Sequence, residues 1–157
     1  MEAVMISIQQ KWCNKIARGD KTIEVRKNIP KLDTPFKVYI YCTKSKKKTR
    51  IDWLDKALGG GKVIGEFICD RISAMAYTMD GFADAVDCKA TCLDPVDFIR
   101  YGKGKPLYGW HISNLKIYHE PKEITDFRKQ EMPTGLRYEN DTITRPPQSW
   151  CYVEEEA

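Results

Sequence analysis

At 157 residues with 42% hydrophobic and 31% charged side chains, the chain has the size and make-up of one soluble domain, 1–157, able to bury a real core. No apolar run approaches the ~20 residues of a bilayer span, and Met1–Ile6 lacks the basic start and long apolar stretch of an export signal. A membrane partner is therefore excluded, and a cytoplasmic location is expected. Net charge is +4 but uneven: residues 1–60 carry 14 Lys/Arg against 6 Asp/Glu, and residues 61–157 carry 12 against 16. With the run Lys44-Ser45-Lys46-Lys47-Lys48-Thr49-Arg50, this asymmetry reads either as a positive surface for a polyanion or as a solvated loop.

In chain order, Val4–Ile8 alternates well enough for a first strand. Gln10–Arg18 places Trp12 with Ile16 and Cys13 with Ala17 at helical spacing, and Gly19 serves as its stop. Thr22–Lys27 is a second strand, closed by Pro30. Phe36–Thr43 is a third, with Val38, Ile40 and Cys42 on one face and Tyr39, Tyr41 and Thr43 on the other. Ile51–Leu58 reads as a short helix ended by Gly59-Gly60-Gly61. Lys62–Ala74 is a long apolar strand bent near Gly65. Asp94 and Pro95 open a helix that runs to Tyr101, and Gly102–Lys105 is a loop. Tyr108–Glu120 is a strand with a break near Asn114, residues 125–147 are loop-rich, and Trp150–Val153 closes the set. Five or six strands with helices beside them predict an α+β fold built on a small closed barrel.

The chemistry concentrates in Gly19-Asp20-Lys21-Thr22-Ile23-Glu24-Val25-Arg26. Strand alternation sends Ile23 and Val25 to the core and sets Thr22, Glu24 and Arg26 on the other face, with Glu24 and Arg26 roughly 7 Å apart along the strand. Lys21 stands at the strand's start on a stem long enough to swing back toward them. Such a cluster is either an ion-pair lattice or the floor of a polar site. As a site, Arg26 offers paired donors to a phosphate or base edge, Lys21 a point charge, and Glu24 an acceptor for an exocyclic amine. Tyr41, Thr43, Lys44 and Trp110 are further ligand candidates, and Lys46, Lys47, Lys48 and Arg50 candidates for a nucleic-acid backbone. Core packing is the expected role of any single aromatic ring, Trp12 above all because it sits one turn from Ile16. Tyr41 and Trp110 share strands with the polar neighbours Thr43 and His111.

Other constellations carry less. Cys13, Cys42, Cys69, Cys88, Cys92 and Cys151 contain no CxxC pair and read as reduced, buried thiols. Cys88, Cys92, His111 and His119 match no standard zinc spacing. Gly59-Gly60-Gly61-Lys62 lacks the full phosphate-loop pattern and precedes a strand rather than a helix. No cofactor and no metal are called for.

The octapeptide resembles the Gly-x-Lys-x-x-Glu-x-Arg pattern of ASCH domains, a branch of the PUA-like β-barrels. Its setting of strand, helix and motif strand is similar too, as are Gly65-Glu66-Phe67, Gly109-Trp110-His111 and Pro147-Gln148-Ser149-Trp150. The resemblance implies a PUA-like mixed barrel with a cleft between barrel and first helix, lined by the motif side chains, with RNA or a modified nucleotide as the partner. Some relatives of this family are enzymes: one group hydrolyses the acetyl amide of N4-acetylcytidine with a Lys, a Thr nucleophile and a Glu, and another is a ribonuclease. Carried over by position, the hydrolase Lys falls on Lys21, whereas its Thr falls on Glu24. If the chain were an enzyme, Lys21 and Glu24 would be the catalytic pair; the departure at Glu24 favours recognition over catalysis.

Overall fold

In chain order the elements are β1 (Glu2–Ile8), α1 (Gln10–Ala17), β2 (Ile23–Arg26), β3 (Phe36–Cys42), β4 (Lys62–Met75), β5 (Tyr77–Thr78), β6 (Gly81–Phe82), α2 (Ala85–Thr91), α3 (Pro95–Gly102), β7 (Leu107–Lys122), a 3-10 turn (Ile124–Asp126) and β8 (Trp150–Glu154). The architecture is taken from a computed structural model that describes residues 2–44, 60–75, 77–78, 81–82, 85–131, 133–137 and 139–156. The helix expected over 51–58 and the basic residues Lys46, Lys47, Lys48 and Arg50 lie outside the described residues.

Six strands form one mixed sheet in the order β2-β7-β4-β3-β1-β8. β1 and β3 run parallel, with Val4 opposite Val38 and Ile8 opposite Cys42. A parallel pair needs a crossover, and the segment carrying α1 and β2 supplies it. The other neighbours are antiparallel. Alternation sorts the core as the sequence predicts. Val4, Ile6, Ile8, Val38, Ile40 and Cys42 bury on one face, while Ala3, Met5, Tyr39 and Tyr41 bury on the other with Phe127 and Ile143.

The sheet is strongly curled around the first of these clusters. Trp110 on β7 and Trp150 on β8 are separated by three strands, so a flat sheet would hold them about 19 Å apart. Their ring centroids are 6.0 Å apart, and Phe36 packs edge-on against Trp110 at 5.8 Å. The expected closed barrel is corrected in one respect: among the described residues no ladder joins β2 to β8, and both remain sheet edges. The outer face of β2 and β7 carries a third cluster of Ile23, Val25, Met75 and Leu107, capped by Phe98 from α3.

Local chemistry explains the element ends. α1 buries Cys13 and Ile16 and gives way at Gly19, whose φ of +81° suits glycine. The Asp94 carboxylate accepts the Asp97 amide at 2.8 Å, and Pro95 occupies the first turn of α3. The break expected at Asn114 is a bulge inside the 16-residue strand β7. Glu66 and Ile68 face Lys116 and Ser113, so β7 carries one extra residue there, and Asn114 takes φ +49°. α2 and the β5–β6 pair had no counterpart in the sequence pattern.

Gly65 marks a close approach of two backbones. A Cβ at this position would overlap the Lys116 carbonyl oxygen and lie 3.1 Å from Ile117 Cα. Backbone cannot step aside as a flexible side chain can. Gly65→Ala is therefore expected to lower stability by about 1–3 kcal/mol, read from the urea midpoint with an unchanged m-value.

Candidate functional site

The motif side chains come together in a buried polar cluster where β2 meets α1, the C-terminal end of α2 and the β1–β8 edge. The backbone after α1 turns back on the helix, with both Asp20 N and Lys21 N donating to Lys15 O. Lys21 is thereby led inward and is only 3% exposed. Its Nζ donates to the carbonyl of Thr91 at 2.6 Å, the last residue of α2, where free carbonyls and the helix dipole favour a cation. The same Nζ lies 3.5 Å from Glu24 Oε2 and 5.1 Å from the centre of the Trp12 ring.

Glu24 is 5% and Arg26 9% exposed. Arg26 Nε donates to Glu24 Oε1 at 3.0 Å, and Nη2 is 3.0 Å from the same oxygen. Arg26 also reaches across the curl: Nη2 donates to the Ser7 carbonyl at 2.6 Å and Nη1 to Ser149 Oγ at 3.2 Å. Ser7 in turn donates its hydroxyl to the Pro147 carbonyl at 2.6 Å and its amide to Ser149 O at 2.9 Å. One guanidinium thus ties the β2 edge to β1 and to the segment entering β8, where no ladder does so.

Two cations and one carboxylate leave this enclosed cluster with a net charge of +1 when all three are ionised. Burial pushes the Lys21 ammonium below its ordinary value, and the Glu24 carboxylate opposes that shift. Glu24 Oε2 is buried without a hydrogen-bond partner, and Trp110 Nε1 and Asn14 Oδ1 are in the same condition. A buried carboxylate oxygen whose only close partner is an ammonium at 3.5 Å is incompletely satisfied.

The remaining candidates are placed differently. Thr22 is exposed because the ladder begins only at Ile23, so it does not share the buried face of Glu24 and Arg26. Tyr41 is 5% exposed inside the second apolar cluster, away from the motif, and burial pushes its phenol up. Trp110 is the register partner of Glu24, yet its ring is fully buried among Phe36 and Trp150. Both rings are enclosed by apolar neighbours. Trp12, read as core, packs half-buried against the inner cluster, with Lys11 Nζ 4.5 Å and Lys21 Nζ 5.1 Å from its ring centre. Thr43 is half-buried, its amide donating to Ile8 O at 2.9 Å, and Lys44 is exposed.

Sequence reasoning missed Ser7, Thr91 and Ser149. Two of these act through backbone carbonyls, which any residue supplies; only Ser149 lay in a quoted motif. None of the six cysteines is in a disulfide, but Cys88, Cys92 and Cys151 are half-buried rather than buried. Burial raises the Cys69 thiol to about 12 and the Cys151 thiol to about 11. Among the described residues no three His, Cys, Asp or Glu side chains gather as a metal would require, and no helix is long and apolar enough to cross a membrane. A separate open groove of about 480 Å³ is lined by Asp126, Arg128, Glu154, Glu155 and Glu156. Several of its carboxylates are engaged: Glu155 with Lys37 at 3.2 Å, Glu154 with Arg137 at 3.4 Å, and Glu156 with Lys122.

The curled mixed sheet with its crossover helix is a fold that this chain shares with solved ASCH structures. The chain resembles the crystal structure of ASCH from Zymomonas mobilis with a TM-score of 0.65 at 16% identity, covering 98% of this chain and 88% of that one. A tyrosine-to-phenylalanine mutant of that protein matches with a TM-score of 0.65 at 16% identity over 98% and 91% of the two chains. A serine-to-alanine mutant matches at 0.60 and 18% identity over 98% and 89%. No family model and no curated protein matches the sequence.

Two outcomes follow from the cluster's burial. Arg26→Met leaves Glu24 without its strongest partner and unties the β2 edge, so it is expected to cost about 3–5 kcal/mol in chemical denaturation. Adding Glu24→Gln should recover part of that loss. For Lys21, the unfolded chain binds more protons than the native one between the depressed native value and the ordinary 10.5. Its contribution to stability therefore rises with pH across that window. Unfolding free energies from neutral pH to pH 10.5 should climb more steeply for wild type than for Lys21→Met; parallel curves would contradict the assignment.

Proposed function

We propose that the chain is a recognition module for RNA or a modified nucleotide, with Lys21, Glu24 and Arg26 as its specificity site. The observation that carries this reading is the buried Oε2 of Glu24, which has the Lys21 ammonium at 3.5 Å and no closer hydrogen bond. An exocyclic amine of cytosine or adenine, or the N–H of an acylated amine, would satisfy that oxygen. Lys21 adds a donor to a neighbouring carbonyl of the same base. Arg26 holds Glu24 in register while its own donors are taken up by Ser7 and Ser149. Half-buried Trp12 beside Lys21 is the ring best placed to stack on an entering base. The basic run from Lys44 to Arg50 supplies the charge that would hold a phosphate backbone.

A second reading has its own support. Lys21 is pushed toward its neutral form by burial, as a general base must be. Hydrolysis of an acylated nucleoside or of RNA would then use Lys21 to take a proton, with Glu24 holding the substrate amide. The Glu at the position of the relatives' Thr nucleophile places this reading second. Product formed from acylated nucleosides or labelled RNA, lost in Lys21→Ala and Glu24→Gln but kept in Trp150→Phe, would promote it.

For the binding reading, oligonucleotides and nucleosides are titrated at low salt. Glu24→Gln should weaken the preference for bases bearing an exocyclic amine by about 1–3 kcal/mol. Lys47→Ala should leave base preference intact and flatten the salt dependence by about one phosphate contact. Absence of binding to RNA, DNA or nucleoside by the wild-type protein would sink the proposal.

A further inference from the structure

On the outer face of the sheet, next to the motif strand, stands a second polar cluster that the Glu24 site does not use. His111 is the register partner of Ile23 and therefore lies on the face opposite Glu24. A register shift between Cys69 and Ile72 on β4 changes that strand's parity, since both residues join the inner cluster. The bulge brings Arg71 and Ser73 to His111. Ser73 Oγ is 2.9 Å from His111 Nε2, and Arg71 Nη2 is 3.3 Å from His111 Nδ1. Gly109, opposite Ser73, keeps room for the hydroxyl: a Cβ there would sit 3.1 Å from Ser73 Oγ.

A guanidinium only donates, so His111 Nδ1 is the acceptor of that pair and the imidazole proton sits on Nε2. Nε2 then donates to Ser73 Oγ, which rules out His111 as the base that would activate Ser73 in this state. This pairing leaves the Ser73 hydroxyl hydrogen and the other N–H groups of exposed Arg71 uncommitted to His111. The cluster presents donors and one full positive charge, with the histidine acting as the brace that fixes both partners.

From this geometry we infer that Arg71 and Ser73, braced by His111, form an oxyanion site for a phosphate group. Arg71 supplies paired donors to two phosphate oxygens and Ser73 a third. The inference rests on the proposed nucleic-acid reading only for the source of that phosphate, a backbone diester rather than a free or terminal phosphate.

The test follows the His111 imidazole signals by NMR in the full chain during titration with inorganic phosphate, and then with a short oligonucleotide lacking terminal phosphates. Phosphate should shift the His111 signals in wild type, with the response lost in Arg71→Gln, reduced in Ser73→Ala and largely kept in Arg71→Lys. The oligonucleotide should do the same, and its salt slope should fall by about one in Arg71→Gln. A response to inorganic phosphate without one to the oligonucleotide would keep the site but overturn the backbone source. His111 signals unmoved by either probe would overturn the site. If wild type still binds the oligonucleotide in that case, the Glu24 reading survives alone; if it binds none while phosphate moves His111, the oxyanion site survives without it.

Discussion

The Arg26–Glu24 pair is the interaction on which the rest of the structure depends. A six-stranded sheet curled this tightly brings its two edges near each other, and an edge with unpaired backbone groups is a liability. Here no ladder among the described residues joins the edges. A guanidinium does the joining, with one donor pair on Glu24 and single donors on the Ser7 carbonyl and Ser149 hydroxyl. Because Arg26 is committed to three partners, its position fixes that of Glu24. Glu24 in turn holds Lys21 in place against the end of α2.

This arrangement separates two roles that the motif letters alone run together. Arg26 is chiefly architectural, its Nε, Nη1 and Nη2 each bonded within the protein. Glu24 is divided: one carboxylate oxygen is consumed by Arg26, and the other is buried, ion-paired with Lys21 at 3.5 Å and with no closer hydrogen bond. Lys21 is divided in the same way between a helix-end carbonyl and the open side of Glu24. An ion-pair lattice built only for stability would be expected to close its last oxygen with a shorter hydrogen bond than the 3.5 Å Lys21 contact. The proposed recognition chemistry rests on that loosely held oxygen.

Much of the frame was legible because alternation and helical period act over short distances. β1, α1, β3, β4, α3 and β8 fall within a residue or two of the pattern, and Asp94-Pro95 marks the start of α3 by its capping chemistry alone. The inward pair Glu24 and Arg26 was legible from strand parity. Thr22 was not, because parity holds only inside the ladder and the ladder starts one residue later. The depth of the aromatics was not legible: helical spacing puts Trp12 beside Ile16 but does not say how deeply that face is covered, and a polar neighbour such as His111 says nothing of Trp110 on the opposite face. Thr91 and Ser7 act through carbonyl oxygens, which leave no mark in a sequence. α2 and β5–β6 are too short to establish a period. Barrel closure depends on the curl of the whole sheet, which no local pattern encodes.

The central claim is that Glu24 Oε2 receives the ligand. Selective ¹³C labelling of glutamate lets the Glu24 side-chain carboxylate be followed directly, with Glu24→Gln assigning its signal. Addition of a cytosine-containing oligonucleotide at low salt should move that signal in proportion to occupancy, while the exposed glutamates stay in place. Saturable binding that leaves the Glu24 carboxylate unmoved would contradict the account and return the motif cluster to a purely architectural role.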